Sequence, residues 1–293
     1  MNKKNILLIF GYGYTAKFIC KKLSGKNWKV FCTTRVREKT NEIKSNNASP
    51  VLFSDAEKIE RIFSEDLYVL STVPPESGED PVIKHYGTVF KKNRDRIKWM
   101  GYLSTTSVYG DKKGAWVTED TVLEPYLERS IIRANIEKYW INLGATNLIK
   151  TMVFRLAGIY GPGRNLIDRL RTSDKVYIVD KPNHFFNRIH VEDIVGAIEV
   201  AMSSKTSAII FNLSDDLPAT QLDVAQFAAS LLKIKCPETV SIKSEMVSEM
   251  ARSFYKEEKK VSNKKLKDEL RYKLTFPSFK DGLSSIYKSS KEF

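Results

Sequence analysis

The chain has 293 residues, enough to bury a full hydrophobic core and to form one large domain or two closely joined ones. Its hydrophobic fraction of 42% and aromatic fraction of 11% are typical of a globular protein and exclude a disordered or fibrous one. The formal net charge of +13 comes from lysines and arginines interleaved with acids, as in KEEKK at 256–260. This pattern favours a solvated lysine-rich surface, so a nucleic-acid partner is not expected.

Cysteine spacing and hydropathy indicate the compartment. Cys20, Cys32 and Cys236 are far apart and include no C-x-x-C pair, which excludes a disulfide framework or zinc site and suits a reducing cytoplasm. The apolar run at 6–10 is too short for the core of a signal peptide. Because no stretch approaches the ~20 apolar residues of a membrane helix, we expect a cytoplasmic protein with no membrane association.

The first half of the chain alternates apolar runs with helical patterns. The runs are short and rich in β-branched residues, and they lie at 5–10, 29–34, 50–53, 67–73, 101–106 and 149–154. Strands alternating with helices form βαβ units, so the pattern predicts an α/β fold with a doubly wound parallel sheet. In the first helix, Ala16, Ile19, Cys20 and Leu23 recur at helical spacing, and Gly25 is placed to end it.

Beyond about residue 158 the pattern loosens into loops. It then predicts a helix at 192–202, a strand at 208–213, a helix at 221–232 and a basic tail. We therefore expect a smaller C-terminal lobe packed on the sheet.

A glycine-rich turn supplies the first chemical signal. Gly11-x-Gly13-x-x-Ala16 follows the first predicted strand and opens the first helix. In this context Gly11 allows the tight turn, and Gly13 lets the backbone approach a pyrophosphate at the helix N-terminus. The second strand then ends in Thr34-Arg35, where an NAD-binding protein usually has an acid. Since arginine can pair with a 2′-phosphate, the sequence predicts a Rossmann-like domain that prefers NADP(H) to NAD(H).

Four further motifs carry a family resemblance. They are LSTTSVYGDKKGAWVTED (103–120), FRLAGIYGPGRN (154–165), RIHVEDIVGAI (188–198) and FNLSDD (211–216). In this order and spacing the chain resembles the NAD-dependent epimerase/dehydratase family, the extended short-chain dehydrogenase/reductases. It looks most like an atypical bacterial branch that lacks the family's Tyr-x-x-x-Lys pair.

The resemblance implies a domain division and a set of binding residues. Residues 1–158, completed by about 189–215, should form the dinucleotide-binding domain, and 159–188 with 216–293 the substrate lobe. The predicted cofactor residues are Gly11, Gly13, Tyr14, Thr15, Thr34, Arg35, Thr72, Val73 and Pro74. Arg164 and Arg188 flank the expected lobe, where they either bind an anionic small-molecule substrate or lie on the surface. Family members commonly dimerise through the helices expected at about 81–96 and 126–143, so a homodimer is predicted. The scattered histidines have no metal-ligand spacing, and no metal is expected.

The segment RSIIRANIE at 129–137 stacks Arg129, Arg133 and Glu137 on one helix face. In the family, the catalytic Tyr-x-x-x-Lys lies on this helix with a glutamate four residues beyond the lysine. Aligning Glu137 with that glutamate puts Arg133 at the lysine position and Arg129 at the tyrosine position. Arginine stays protonated and cannot replace the tyrosine as a general acid/base, although Arg133 can still bind the nicotinamide ribose.

Three interpretations follow from this substitution. In the first, the protein is an oxidoreductase or epimerase-like enzyme in which Thr105 binds the substrate carbonyl and Tyr109 or Tyr126 moves the proton. In the second, it is a non-catalytic, NADP(H)-responsive binding or regulatory protein. In the third, the helix register differs, and the arginines form a solvated face on which Arg133 pairs with Glu137.

Overall fold

A computed structural model describes residues 4–25, 27–173, 175–207 and 209–290. The strands are β1 Asn5–Phe10, β2 Trp28–Thr34, β3 Ser49–Leu52, β4 Leu67–Ser71, β5 Ile97–Thr105, β6 Trp116–Val117, β7 Thr151–Leu156, β8 Gly158–Tyr160, β9 Ile178–Asp180, β10 Arg188–His190, β11 Ile210–Leu213, β12 Thr239–Ser241 and β13 Lys260–Val261. The helices are α1 Tyr14–Leu23, α2 Lys39–Ser45, α3 Ala56–Ile62, α4 Pro81–Lys92, α5 Glu128–Asn147, α6 Leu166–Thr172, α7 Val191–Ser203, α8 Gln221–Leu232, α9 Glu249–Phe254, α10 Lys264–Asp268 and α11 Phe279–Ser289.

A parallel sheet organises the fold. Within the described residues it has seven strands in the order β11-β7-β5-β4-β1-β2-β3. The direct pairings of β1 with β2 and β4, of β2 with β3, and of β4 with β5 are all parallel. The predicted fold class, an α/β Rossmann-like sheet, is confirmed. The strand predicted at 208–213 is β11, and its first predicted residue, Ala208, lies outside the described residues.

The chain divides into two compact units. Unit 1 comprises the chain up to Thr105 together with Glu128–Arg155 and Val195–Phe211. Unit 2 comprises Thr106–Leu127, Leu156–Ile194 and Asn212–Phe293. This division differs from the predicted boundaries, which kept 156–158, about 189–194 and 212–215 and, as the longest such segment, 106–127 in the first domain. The physical reason is that β6 in this segment pairs with β13 in the tail of the chain.

The core of unit 1 is built on the β1 and β5 side chains. Phe10 packs on Tyr86 and Phe90 of α4, and Phe90 in turn contacts Trp140 of α5. Trp140 stacks on Tyr102 of β5 with 5.6 Å between ring centroids and 13° between planes. Helices α4 and α5 are therefore fixed against the sheet by buried aromatic side chains, whose large apolar area dominates such cores.

Unit 2 is held by short parallel strand pairs and a small helical core. The pairs are β8–β10, β9–β12 and β6–β13. Its apolar core joins α6, α8 and α11 through side chains that include Ile167, Val224 and Leu283. Helix α8 spans the predicted residues and begins with a capping box formed by Thr220 and Asp223. The sequence predicts only a basic tail after it, whereas the described part of the tail, up to residue 290, contains the helices α9, α10 and α11.

A buried ion pair joins α5 to β7 inside unit 1. Glu137 is 1% exposed and Arg155 is 3% exposed. The Arg155 Nε donates to both carboxylate oxygens at 3.2 and 3.1 Å, and Nη2 donates to Oε2 at 2.8 Å. The interpretation in which Glu137 pairs with Arg133 on a solvated face is therefore wrong. Glu137 faces the sheet, where Arg155 supplies a closer and buried cation.

We expect Glu137→Gln to destabilise the protein strongly. Removing one partner of a buried pair leaves an uncompensated charge, which typically costs about 3–5 kcal/mol. The control is Glu57→Gln, since Glu57 pairs with Arg61 on the exposed face of α3. That change should cost about 0.3–0.5 kcal/mol. Urea denaturation of both variants measures the difference, and a similar small effect in both would contradict a structural role for the buried pair.

Candidate functional site

The glycine turn after β1 has the backbone that its motif predicts. Gly11 has φ +92°, a left-handed conformation, and a Cβ there would lie 2.9 Å from Thr72 Oγ1. The Gly11 amide donates to Thr33 Oγ1 at 2.9 Å, and Thr72 Oγ1 donates to the Gly11 carbonyl at 3.2 Å. Gly13 caps α1 in an extended conformation, and apart from Gly13 and its two chain neighbours no described residue has an atom within 4 Å of the position of a Cβ. Space is therefore open at Gly13 while Gly11 is tightly enclosed.

A cavity of about 440 Å³ in unit 1 opens over this turn. Most of the predicted cofactor residues line it, namely Gly11, Gly13, Thr34, Arg35, Thr72, Val73 and Pro74. Two predicted residues are not among its lining: Thr15 is buried, and the Tyr14 ring packs on Phe18 with 5.1 Å between centroids. Carboxyl ends of parallel strands bring such loops together, which explains why residues from three separate loops meet here.

The cavity also contains residues that sequence reasoning missed. Lys39, Glu76 and His85 line it beside the predicted set. The Glu76 carboxylate accepts from Arg35 Nη1 at 2.7 Å, and both side chains are more than half exposed. Because Glu76 lies 41 residues from Arg35 and follows β4 instead of β2, the strand-end motif gives no signal for it.

Arg133 is anchored at the carboxyl end of β5. Its Nη1 donates to Tyr102 Oη at 2.8 Å and to the Leu103 carbonyl at 3.3 Å. The guanidinium carbon also lies 5.7 Å from the centre of the Tyr102 ring. Arg133 is half-buried, and its Nε and Nη2 make no hydrogen bond to a described residue. These two donors remain for a ligand.

The anchor of Arg133 extends to the start of α4. Asp80 caps that helix by accepting from the Val82 and Ile83 amides, and its second oxygen accepts from Trp140 Nε1 at 2.9 Å. Burial raises the pKa of Asp80, although these hydrogen bonds and the charge of Arg133 oppose the shift. The capped helix start, Trp140 and Tyr102 therefore form one packed support beneath Arg133.

The phenol that Arg133 contacts is not suited to proton transfer. Tyr102 is fully buried, and burial raises its pKa well above the ordinary value despite the nearby positive charge of Arg133. Arg129 lies one helical turn before Arg133 and is exposed, and Thr105 ends β5 half-buried. The arginine row in unit 1 thus offers hydrogen-bond donors and positive charge.

Of the predicted proton donors in unit 2, Tyr109 is enclosed. Its side chain is fully buried, and its hydroxyl donates to Asn212 Oδ1 at 2.7 Å. The backbone N–H of Asn212 donates to Glu119 Oε1 at 2.7 Å. This geometry gives Tyr109 a packing role and argues against proton exchange with a substrate. Tyr126, in contrast, is 48% exposed.

The structure brings Arg164 and Arg188 together in a cavity of about 740 Å³ within unit 2. Asn165, Asp168 and Arg169 add polar groups to its lining. Phe186, Val224, Phe279 and Leu283 form an apolar wall. A concave, mainly apolar site with a few polar groups is the usual form of a small-molecule site.

Arg188 is a buried cation with an unused donor. It is 9% exposed, and its Nη1 donates to the Phe186 and Ala219 carbonyls at 3.0 Å each. Its Nη2 is buried and has no hydrogen-bond partner among the described residues. Burial raises the pKa of the neighbouring Asp215 to about 8, although the positive charge of Arg188 opposes the shift. A buried guanidinium with an unpartnered donor favours an anionic ligand.

Two further findings concern the described residues as a group. Among them, no cluster of three or more His, Cys, Asp or Glu side chains is placed to hold a metal ion. Within the same ranges, no helix combines the length and apolarity needed to cross a membrane.

Comparison with known proteins gives relatives of similar sequence and solved structures of similar fold. No family model matches the chain. Protein YeeZ of Escherichia coli K12 is 24% identical over 221 residues, which cover 70% of this chain and 76% of YeeZ. The UDP-glucose 4-epimerase of Thermotoga maritima, solved with UDP-glucose, superimposes with a TM-score of 0.78 at 19% identity, over 98% of this chain and 99% of that one. The dTDP-glucose 4,6-dehydratase of Bacillus anthracis, solved with NAD, gives 0.77 at 18% identity over 98% and 97%.

A conserved protein of unknown function from Silicibacter pomeroyi DSS is more similar. It is 34% identical, its structure superimposes with a TM-score of 0.87, and the match covers 98% of this chain and all of that one. The fold of this chain is that of the epimerase/dehydratase structures. At 34% identity over nearly the whole length of both chains, the chain belongs to the same family as the Silicibacter pomeroyi protein.

Proposed function

We propose that the protein is a cytoplasmic, NADP(H)-binding oxidoreductase or epimerase-like enzyme with altered acid/base chemistry and an anionic small-molecule substrate. The observation that carries this proposal is the unit 1 cavity, in which the glycine turn, Thr34, Arg35 and the loop after β4 meet. The open space at Gly13 supports the fit, because a Cβ there would occupy the region in which a pyrophosphate approaches the backbone.

NADP(H), when bound, supplies or accepts the hydride. Residues of this chain would hold it at both ends. The turn at Gly11 and Gly13 would receive the pyrophosphate at the N-terminus of α1, and Arg35 would pair with the 2′-phosphate. Arg133 would present Nε and Nη2 to the hydroxyls of the nicotinamide ribose, as the resemblance implies for the lysine at this position. Its anchor on Tyr102 and Leu103 fixes the guanidinium in place.

Proton transfer has to come from a group other than the usual tyrosine. Arg129 stays protonated, and the buried phenols of Tyr102 and Tyr109 are already bonded. We propose that Thr105 binds the substrate carbonyl and that Tyr126, the more exposed phenol, exchanges the proton. A general acid/base needs access to the reacting group.

The substrate proposal rests on unit 2. Arg188 is a buried cation with an unused donor, and Arg164 lies in the same cavity. An acidic group such as a phosphate or carboxylate would accept from that donor in a charge-assisted hydrogen bond. The apolar wall of the cavity suits the carbon skeleton of the same molecule.

The alternative function is a non-catalytic NADP(H)-responsive binding or regulatory protein. It is favoured by the arginines at the usual tyrosine and lysine positions. We also propose a homodimer that uses α4 and α5. Of the apolar stripe on α5, Ile136 and Leu143 are buried in the core of unit 1, while Tyr139 is 64% exposed. In the proposed dimer, the exposed part of this stripe would contact the second copy of the chain.

We expect Gly13→Val to abolish NADPH binding without loss of structure. The Gly13 backbone is extended, with φ −101° and ψ −168°, which valine adopts readily. The added side chain would fill the space above the turn and exclude a pyrophosphate. Circular dichroism checks the fold and titration calorimetry measures binding. Retained NADPH binding in a folded variant would contradict the proposed cofactor site.

We expect NADPH to bind more tightly than NADH by about tenfold, which corresponds to about 1.4 kcal/mol. The preference should disappear in Arg35→Gln, because the amide cannot pair with the charge of a 2′-phosphate. Calorimetric titration of both cofactors measures the two ratios. Arg37→Gln serves as the control, since Arg37 is an exposed neighbour outside the cavity lining. An unchanged preference in Arg35→Gln would contradict the role of Arg35.

With NADP(H) present, we expect no conversion of UDP-glucose or dTDP-glucose at the rate of a tyrosine-dependent enzyme. Loss of a positioned proton-transfer group lowers the rate by about 10²–10⁴-fold. The double variant Arg129→Tyr, Arg133→Lys should not create this activity, yet it should bind NADPH within a few-fold of the unaltered protein.

A panel of phosphorylated and carboxylated carbonyl compounds, followed by nicotinamide absorbance, separates the enzyme from the binding protein. Turnover of an anionic compound that is lost in Arg188→Gln supports the enzyme. Tight NADPH binding with no turnover across the panel favours the non-catalytic alternative.

A further inference from the structure

A carboxylate from a distant loop lies beside the arginine that would select the cofactor. Glu76 Oε2 lies 2.7 Å from Arg35 Nη1, and both residues line the cavity at the glycine turn. Arg35 follows β2 and Glu76 follows β4, and these two strands flank β1 in the sheet. The pair therefore bridges the end of β1, where the glycine turn lies.

Glu76 is held in place by a tight hairpin. The Glu76 and Glu79 main chains exchange hydrogen bonds of 2.9 and 3.0 Å. Between them, Ser77 has φ 50° and Gly78 has φ 82°, the left-handed pair typical of a two-residue hairpin turn. The turn runs directly into the buried Asp80, which caps α4. The backbone of Glu76 is thus fixed at the cavity, although its side chain is exposed.

We propose that Glu76 is a specificity-determining residue that sets how strongly the protein prefers NADPH to NADH. The proposal rests on the proposed function, because it requires that the unit 1 cavity binds the dinucleotide. It adds a second determinant, supplied by the loop after β4, to the strand-end residue Arg35.

The physical basis is competition between two anions for one cation. A 2′-phosphate that pairs with Arg35 has to displace the Glu76 carboxylate or accept its repulsion. A ribose 2′-hydroxyl carries no charge, and Glu76 can accept a hydrogen bond from it as an acid at the end of β2 would do. Because an exposed ion pair contributes little to stability, the Glu76 side chain can move without loss of the fold.

The hairpin provides a matched control. Glu79 lies at the other end of the same turn and pairs with Lys84 at 2.5 Å, with an exposure close to that of Glu76. Glu79 is not among the residues that line the cavity. Glu76→Gln and Glu79→Gln therefore remove the same charge from the same hairpin, but only the first removes it from the proposed site.

The test is calorimetric titration of the unaltered protein, Glu76→Gln and Glu79→Gln with NADPH and with NADH. We expect Glu76→Gln to bind NADPH about fivefold more tightly and to leave NADH binding nearly unchanged or slightly weaker. Glu79→Gln should leave both affinities unchanged. Raising the salt concentration should reduce the gain in Glu76→Gln, because the interaction is between exposed charges.

The outcomes separate this inference from the proposed function. If the unaltered protein binds both cofactors and the ratio of the two affinities is the same in Glu76→Gln, the inference is overturned while the cofactor site stands. An equal change in Glu76→Gln and Glu79→Gln would show that the effect comes from the net charge of the hairpin and not from the position of Glu76. That result would also overturn the inference. If neither cofactor binds the unaltered protein, both the proposed function and the inference fail.

Discussion

The ion pair between Glu137 and Arg155 fixes the rotation of α5, and the placement of the arginine row follows from it. Both partners are buried, so the helix cannot turn without leaving a charge unpaired in the core. Residues four apart lie on one face and side chains tilt toward the helix N-terminus, so Arg133 is directed to the end of β5. There Tyr102 and Leu103 accept its hydrogen bonds. The helix rotation thus places a permanent cation at the edge of the sheet.

The same edge of the sheet carries a second, separate arrangement of charge. Gly11 and Thr72 shape the floor of the cavity, while Arg35, Lys39 and Glu76 supply its charges. The two positions differ in how firmly they are held. Arg133 rests on buried aromatic rings and a capped helix, whereas Arg35 and Glu76 are exposed side chains on loops. Arg133 is therefore suited to hold the part of a ligand that does not vary. Arg35 and Glu76, which can adjust, are suited to discriminate between ligands.

The parts of this structure that were predictable are those in which a local pattern determines the conformation. Strands β1 and β4 were predictable because buried parallel strands are continuous apolar runs. The turn at Gly11 was predictable because few residues tolerate its backbone. Arg155 was not predictable as the partner of Glu137, since periodicity identifies the helix face but not the cation beneath it. Glu76 was missed because it meets Arg35 only through the strand order. The sequence analysis also missed the helices of the tail. Helix α11 could have been predicted, because an S-x-x-D cap at Ser278 precedes apolar residues at helical spacing. Helix α9 could not, because it buries no residue and so has no apolar periodicity to detect.

The distribution of tyrosines limits which chemistry remains open. A phenol acts as an acid when its anion is stabilised, and a nearby cation is one way to stabilise that anion. Here Tyr102 has such a cation in Arg133, yet burial still raises its pKa, so proximity to positive charge is not sufficient. Tyr109 is enclosed as well and bonded to Asn212. A reacting phenol must be reached by substrate and must keep solvent or a polar group around its anion. Of the three phenols considered, Tyr126 is the one that is substantially exposed, at 48%.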